Sequence, residues 1–208
     1  MENERLFRWF FVAIFVATFS ISGYFRRRAR QSGEAIPRAR EGKSSLLLRL
    51  LFATPLYLSV FAYMVNPHWM AWSSIPLPSW LRWLGAVVGL GMLPVLYWVI
   101  SSLGRNISET FLTKENHELV KHGPYRWVRH PLYSVATIGF VSLSILAANW
   151  FILATSLLII IGISLLVIPR EEAELIRKFG TEYREYMRCT GRFAPRLRLF
   201  NELENGDV

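Results

Sequence analysis

Long apolar runs separated by short polar ones set the pattern of this chain. Residues 6–25 (LFRWFFVAIFVATFSISGYF), 46–65 (LLLRLLFATPLYLSVFAYMV) and 83–103 (WLGAVVGLGMLPVLYWVISSL) each approach the roughly 20 residues that cross a bilayer as a helix. Residues 133–168 carry no charged side chain at all. That stretch is too long for one crossing and suits two short ones, with a break near Ala147-Ala148-Asn149-Trp150. The pattern predicts an all-α integral membrane protein of about five transmembrane helices. The first run exceeds the roughly 7–15 apolar residues of a secretory signal and is followed by Arg26-Arg27-Arg28 instead of a small-residue cleavage site, so it reads as a span. Pro55 and Pro94 fall inside spans two and three, where neighbouring helices accommodate the kink.

Charge adds an orientation. The net charge is +9, and its placement alternates. Arg26, Arg27, Arg28, Arg30, Arg38, Arg40, Lys43 and Arg49 crowd residues 26–49, whereas 66–79 hold no Lys or Arg. Arg105, Lys114, Lys121, Arg126 and Arg129 return on 101–131, and the tail from 170 is basic again. Positive charge on every second connection is the positive-inside pattern. It places the N-terminus outside and the 26–49 loop, the 101–131 loop and the C-terminus in the cytoplasm. Trp69, Trp72, Trp80, Trp83 and Trp150 gather at the outer ends as an aromatic belt. The excess charge therefore faces membrane lipids, and a nucleic-acid partner is not expected.

Two units follow. Residues 1–103 form three spans with a basic cytoplasmic loop, 26–45. Residues 104–208 comprise a loop (104–132), a helical hairpin (133–168) and a cytoplasmic tail (170–208). The chain has no soluble catalytic domain, so any chemistry belongs to the loop, the tail and the helix ends beside them. A single cysteine, Cys189, excludes an internal disulfide. No metal site is expected, because the histidines lack a second cluster of ligands at suitable spacing, and no phosphate-cradling glycine loop occurs.

Residues 115–133, ENHELVKHGPYRWVRHPLY, place charged, histidine and aromatic side chains together between two apolar runs. Gly123-Pro124 opens a turn, and His130-Pro131 forces an extended approach to span four. His117 to Tyr133 therefore read as a compact non-helical loop presenting aromatic rings and backbone amides, groups that suit a nucleoside. At the end of span five stand Glu171 and Glu172. Adjacent carboxylates at a membrane border are costly unless paired, hydrated or used, although acids also favour an ordinary helix start. In the tail, Leu175, Phe179, Tyr183 and Met187, joined by Ile176 and Tyr186, make one apolar stripe of a helix that lies on the membrane or covers the loop. Gly180 weakens that helix or bends it.

The order GPYxxxRHPxY, hydrophobic hairpin, Glu-Glu, FGxEYxxY resembles the isoprenylcysteine carboxyl methyltransferase family and, more widely, membrane phospholipid methyltransferases. The resemblance covers about residues 101–196. It implies a cytoplasmic S-adenosyl-L-methionine site formed by the loop before span four and the C-terminal helix. Matched to the family motif, the cofactor contacts are His117, Glu118, Leu119, Val120, Tyr125, His130, Pro131, Leu132, Tyr133 and Glu171. Where the family places a substrate-orienting arginine one turn before the first acid, this chain has Leu166-Val167-Ile168-Pro169. Arg129 or Arg170 is then the positioning cation for a carboxylate acceptor. For an amine acceptor, Glu172 or His130 is the candidate base. The expected acceptor is lipidic or membrane-embedded and enters sideways from the bilayer. The competing readings are an amine or phospholipid N-methyltransferase, an NADPH-dependent membrane reductase and a non-enzymatic membrane scaffold.

Overall fold

The computed structural model describes residues 2–31, 43–104 and 119–196. Within these, the apolar runs become helices α1 (Glu2–Gln31), α2 (Lys43–Val65), α3 (Ser79–Leu103), α4 (Pro131–Ala147) and α5 (Trp150–Gly162). Three stretches are long and apolar enough to cross a membrane: Asn3–Gln31, Ser79–Leu103 and Trp150–Phe179. Ala53–Val65 and Pro131–Ala147 are apolar but shorter. The all-α expectation holds among the described residues, and the expected crossings divide into three full-length helices and two short ones. Large apolar side chains such as Leu58, Phe61, Val87 and Leu165 stand on the outside of the bundle, the surface a lipid-embedded protein presents.

In lipid, burying apolar surface drives helix association weakly, so close packing and polar contacts must hold the helices together. Helix α3 packs between α1 and α4. At Gly85 a Cβ would stand 2.8 Å from the Ser142 carbonyl oxygen and 3.0 Å from the Leu146 amide nitrogen. Gly85 and Gly89 form a small-xxx-small seam against α4. One apolar cluster unites Phe7, Phe11 and Ile14 of α1 with Leu56, Val60 and Tyr63 of α2 and with Leu143 and Leu146 of α4. At this end Arg82 lies over the Phe7 ring, 4.0 Å from its centroid. It donates to the Leu146 carbonyl at 3.0 Å and to both oxygens of Glu4.

The hairpin turn falls where the apolar pattern breaks. Ala148 takes the left-handed conformation, φ 49°, and Asn149 caps α5 by accepting from the Ile152 amide at 3.0 Å. The Asn149 amide also donates to Ser73 Oγ (2.8 Å) and to the Met70 carbonyl (3.1 Å), tying the turn to the 66–78 connection.

Beyond α5 the acidic pair stands at the end of the fifth apolar run, as expected, and not at an ordinary helix start. No break separates the fifth apolar run from the acidic pair. The helix passes through a π turn (Ile163–Val167) into α6 (Ile168–Phe179). Pro169 has no N–H and its ring would meet the carbonyl four residues back. The wider turn, in which the Ile168 amide donates to Ile163 five residues back, lets the helix continue past it. Glu171 and Glu172 are thus carried on the last stretch of a long helix, not on the free start of a new one. Gly180, at φ 56°, ends α6, and α7 (Thr181–Cys189) turns away from it. Leu132 and Tyr133, expected in the loop, form the first turn of α4 because Pro131 is well placed at a helix start.

Candidate active site

The loop 119–130 is held by the chain's C-terminal part. It contains one short turn, Gly123–Arg126, too brief to satisfy its own backbone groups. They are satisfied by the strap that follows α7. The Gly191 amide donates to the Trp127 carbonyl (3.1 Å), the Arg129 amide to Gly191 (2.8 Å) and the His130 amide to Arg192 (3.1 Å). Ser134 Oγ donates to the Phe193 carbonyl at 2.7 Å. From α7, the Tyr186 hydroxyl donates to the Tyr125 carbonyl at 2.6 Å, and Lys121 pairs with Glu182 at 2.8 Å. The tail helix therefore covers the loop.

Glu172 sits at the centre of this clasp. Its Oε1 accepts from Arg129 Nε at 3.1 Å and meets His130 Nε2 at 3.2 Å, while its Oε2 accepts from Arg192 Nη2 at 2.6 Å. The Arg129 guanidinium also donates to the carbonyls of Thr190 (2.5 Å) and Met187 (3.1 Å). Both carboxylate oxygens of Glu172 are engaged by charged or imidazole partners. Its charge is a reason the loop, α6 and the strap stay together. The hydrogen bond and charge of Glu172 in turn raise the Arg192 guanidinium above its ordinary value, against a smaller opposing effect of burial.

Glu171 differs. Among the described residues its Oε2 accepts only from the Tyr133 hydroxyl, at 3.2 Å, and stands 3.9 Å from His130 Nδ1. Its side chain is 30% exposed where that of Glu172 is 8% exposed. A carboxylate with one neutral donor and an open side retains capacity for a cation or for hydroxyl groups.

The predicted site residues divide accordingly. His130, Tyr133, Glu171, Glu172 and Arg129 converge. Pro131 is buried directly before Leu132 and Tyr133. Tyr125, Val120 and Leu132 pack into the second apolar cluster with Phe25, Leu96, Val99, Ile100 and Val135. The Tyr125 ring is therefore part of the core beneath the site. Burial, and then the charge of Glu171, push its phenol well above the ordinary range. Leu119 begins the described loop, whereas His117 and Glu118 lie outside the described residues. Arg170 is exposed, and no ion pair forms on it among the described residues. The strap and Arg192 were missed in the sequence, where Arg192 was one of many tail arginines. His130 lies close to the rings of Tyr133 (5.8 Å) and Phe193 (6.4 Å), so aromatic faces do border the carboxylates.

A membrane helical bundle whose loop and tail are clasped around a buried carboxylate, with a second carboxylate left open, defines a class rather than one protein. Comparison with known proteins places it further. The model of the "Isoprenylcysteine carboxyl methyltransferase (ICMT) family" matches residues 84–177, so the resemblance read from the motifs holds over that segment. The fold is shared with the solved eukaryotic intramembrane Ras methyltransferase ICMT. That likeness has a TM-score of 0.52 at 21% identity and covers 89% of this chain and 67% of the other. The nickel-cobalt-cadmium resistance protein NccN of Alcaligenes xylosoxydans xylosoxydans is 32% identical over 59% of this chain and 55% of its own length. A probable protein-S-isoprenylcysteine O-methyltransferase of Oryza sativa subsp. indica is 32% identical over 50% of this chain and 58% of its own. The chain thus spans little more than half the length of these relatives.

Proposed function

We propose that this chain is an S-adenosyl-L-methionine-dependent integral-membrane methyltransferase that methylates a carboxylate on a lipidic, membrane-embedded acceptor. The observation that carries the reading is the division of labour between two adjacent glutamates. Glu172 is consumed by Arg129, His130 and Arg192, while Glu171 is left open beside Tyr133. An open carboxylate bordered by aromatic rings suits a ligand that carries a sulfonium, an ammonium and ribose hydroxyls. The match of residues 84–177 to the family supports the same reading.

In this reading Glu171 and Tyr133 hold the cofactor's polar groups. His130, fixed through Nε2 by Glu172, keeps the loop's rings in place. When bound, S-adenosyl-L-methionine supplies a methyl group already activated on sulfur, which a carboxylate oxygen displaces in line without a base. What remains for the protein is alignment and the exclusion of water. The loop, α7 and the strap supply the exclusion. Arg170, exposed and free of ion pairs among the described residues, is the cation available to position the acceptor. Arg129 commits Nε to Glu172 and Nη1 to the Met187 and Thr190 carbonyls, and acts through Glu172. Five membrane-embedded segments, with the loop and tail on the cytoplasmic side and the 104–208 half carrying the site, complete the picture, and the acceptor's chain enters from the lipid.

The test is calorimetric titration of detergent-purified protein with S-adenosylmethionine and S-adenosylhomocysteine, beside Glu171→Gln. Saturable binding that weakens at least tenfold in the variant, with the melting temperature within about a degree of wild type, is expected. Such a loss corresponds to a charge-assisted hydrogen bond of about 1.5–3 kcal/mol. Binding of NADPH in place of both ligands indicates a reductase, and binding of none leaves a scaffold. Turnover of a water-soluble carboxylate as fast as a prenylated one overturns the lipidic acceptor.

A further inference from the structure

We infer that the Tyr183 hydroxyl is a ligand-binding group of this site, donating a hydrogen bond to an acceptor atom of the bound cofactor. The inference rests on the methyltransferase reading above.

Tyr183 is among the most deeply buried large side chains, 1% exposed, and its hydroxyl takes no hydrogen-bond partner among the described residues. A buried polar group without a partner is uncommon in a folded protein and costs roughly 1–3 kcal/mol. The neighbouring tail tyrosine shows the contrast. Tyr186, whose ring lies 5.8 Å from that of Tyr183, spends its hydroxyl on the Tyr125 carbonyl. Apolar burial alone does not account for a tyrosine at 183, since phenylalanine would fill the same space without the penalty. The groups acting on its phenol are those of the site. Burial raises it above its ordinary value, and Glu172, Arg129 and Glu171 follow in influence. The hydroxyl is therefore protonated across the physiological range and able to donate to a carboxylate or ribose oxygen.

The experiment compares Tyr183→Phe with wild type in two measurements: calorimetric affinity for S-adenosylhomocysteine and melting temperature without ligand. Tyr63→Phe, which removes the other buried hydroxyl without a partner among the described residues, beside Phe11 in the first apolar cluster and away from the two glutamates, serves as control. The expected result is affinity weakened about five- to tenfold, the net value of one hydrogen bond, at an unliganded melting temperature equal to or above wild type. Tyr63→Phe leaves affinity within twofold. Repetition with 5′-methylthioadenosine, which lacks the amino-acid carboxylate, locates the acceptor atom. A penalty confined to S-adenosylhomocysteine puts it at the amino-acid end, and a penalty on both puts it on the nucleoside. Unchanged affinity in Tyr183→Phe overturns the inference, and a lowered melting temperature at unchanged affinity assigns the hydroxyl to a structural water. Failure of wild type to bind sinks the methyltransferase reading first, which keeps the two failures apart.

Discussion

Arg82 and Arg129 each meet a carboxylate at one end of the bundle, and the surroundings of the two pairs differ. At the first end, Arg82 is 8% exposed and Glu4 is 61% exposed. Arg82 also holds the Leu146 carbonyl and lies on Phe7. The carboxylate reaches water, and the arginine joins α1, α3 and α4 as a staple. At the second end the carboxylate is the buried partner: Glu172 is 8% exposed and gathers Arg129, His130 and Arg192. Beside it stand Glu171 with an open side and Tyr183 with an unused hydroxyl. The first end also leaves one buried hydroxyl, that of Tyr63, without a partner among the described residues. What sets the second end apart is an open carboxylate beside such a hydroxyl, two groups that one ligand can complete.

The sharpest way to break this comparison is to remove the two carboxylates in parallel. Glu172→Ala leaves two guanidiniums and an imidazole around an empty position. Losing one partner of a buried ion pair costs about 3–5 kcal/mol. The expected outcome is a large fall in melting temperature, release of the strap to limited proteolysis, and loss of cofactor affinity. Glu4→Ala exposes an arginine that still holds a backbone carbonyl and an aromatic face. A smaller fall in melting temperature with cofactor affinity within twofold is expected. Equal loss of affinity in both variants refutes the assignment of staple to one end and site to the other.

A smaller effect separates packing from chemistry. In Gly85→Leu the new side chain meets the backbone of α4 at Ser142 and Leu146, and overpacking of this kind costs about 1–3 kcal/mol. Since the α3–α4 seam lies toward the Arg82 end, the melting temperature should drop while calorimetric affinity per folded molecule is retained. An affinity loss exceeding the stability loss shows that the seam positions the site as well.

Much of the fold was legible because lipid demands long apolar runs and because turns have chemical signatures. The hairpin break came at Ala148-Asn149, where a capping side chain interrupts the apolar run, and the bend came at Gly180. The convergence of His130, Tyr133 and the acidic pair followed from the order of the motifs. The roles of Glu171 and Glu172 could not be separated, since adjacent helix positions point about 100° apart and identity alone does not tell which faces the arginines. Tyr125 read as a ligand platform, but its ring fills the core under the loop, because an aromatic beside a Gly-Pro turn is equally suited to anchoring it. The continuous helix through Pro169 depended on a π turn, which no single residue announces. The strap depended on backbone pairing between residues 127–130 and 191–192, which periodicity does not encode.

The smallest effect concerns Tyr186, the tyrosine whose hydroxyl is used, set against Tyr183, whose hydroxyl is not. Burial pushes the Tyr186 phenol from its ordinary 10.0 up to about 12, partly offset by the positive charge of Arg129 and the Thr190 hydrogen bond. A phenol with a folded value above its unfolded one contributes stability that is complete below pH 10 and is lost as pH rises through about 12. At neutral pH, Tyr186→Phe removes the bond to the Tyr125 carbonyl, a net contribution of about 0.5–1.5 kcal/mol, and lowers the melting temperature by a few degrees. Between pH 10 and 12 the wild-type advantage should shrink, because the wild type alone loses this contribution there. Differential scanning across that window, with phenolate absorbance followed in parallel, reads the difference between the two proteins and so cancels the other tyrosines. A gap that stays constant to pH 12 means that the Tyr186 hydroxyl does not hold α7 to the loop. The clasp would then rest on Glu172, the strap and the Lys121–Glu182 pair.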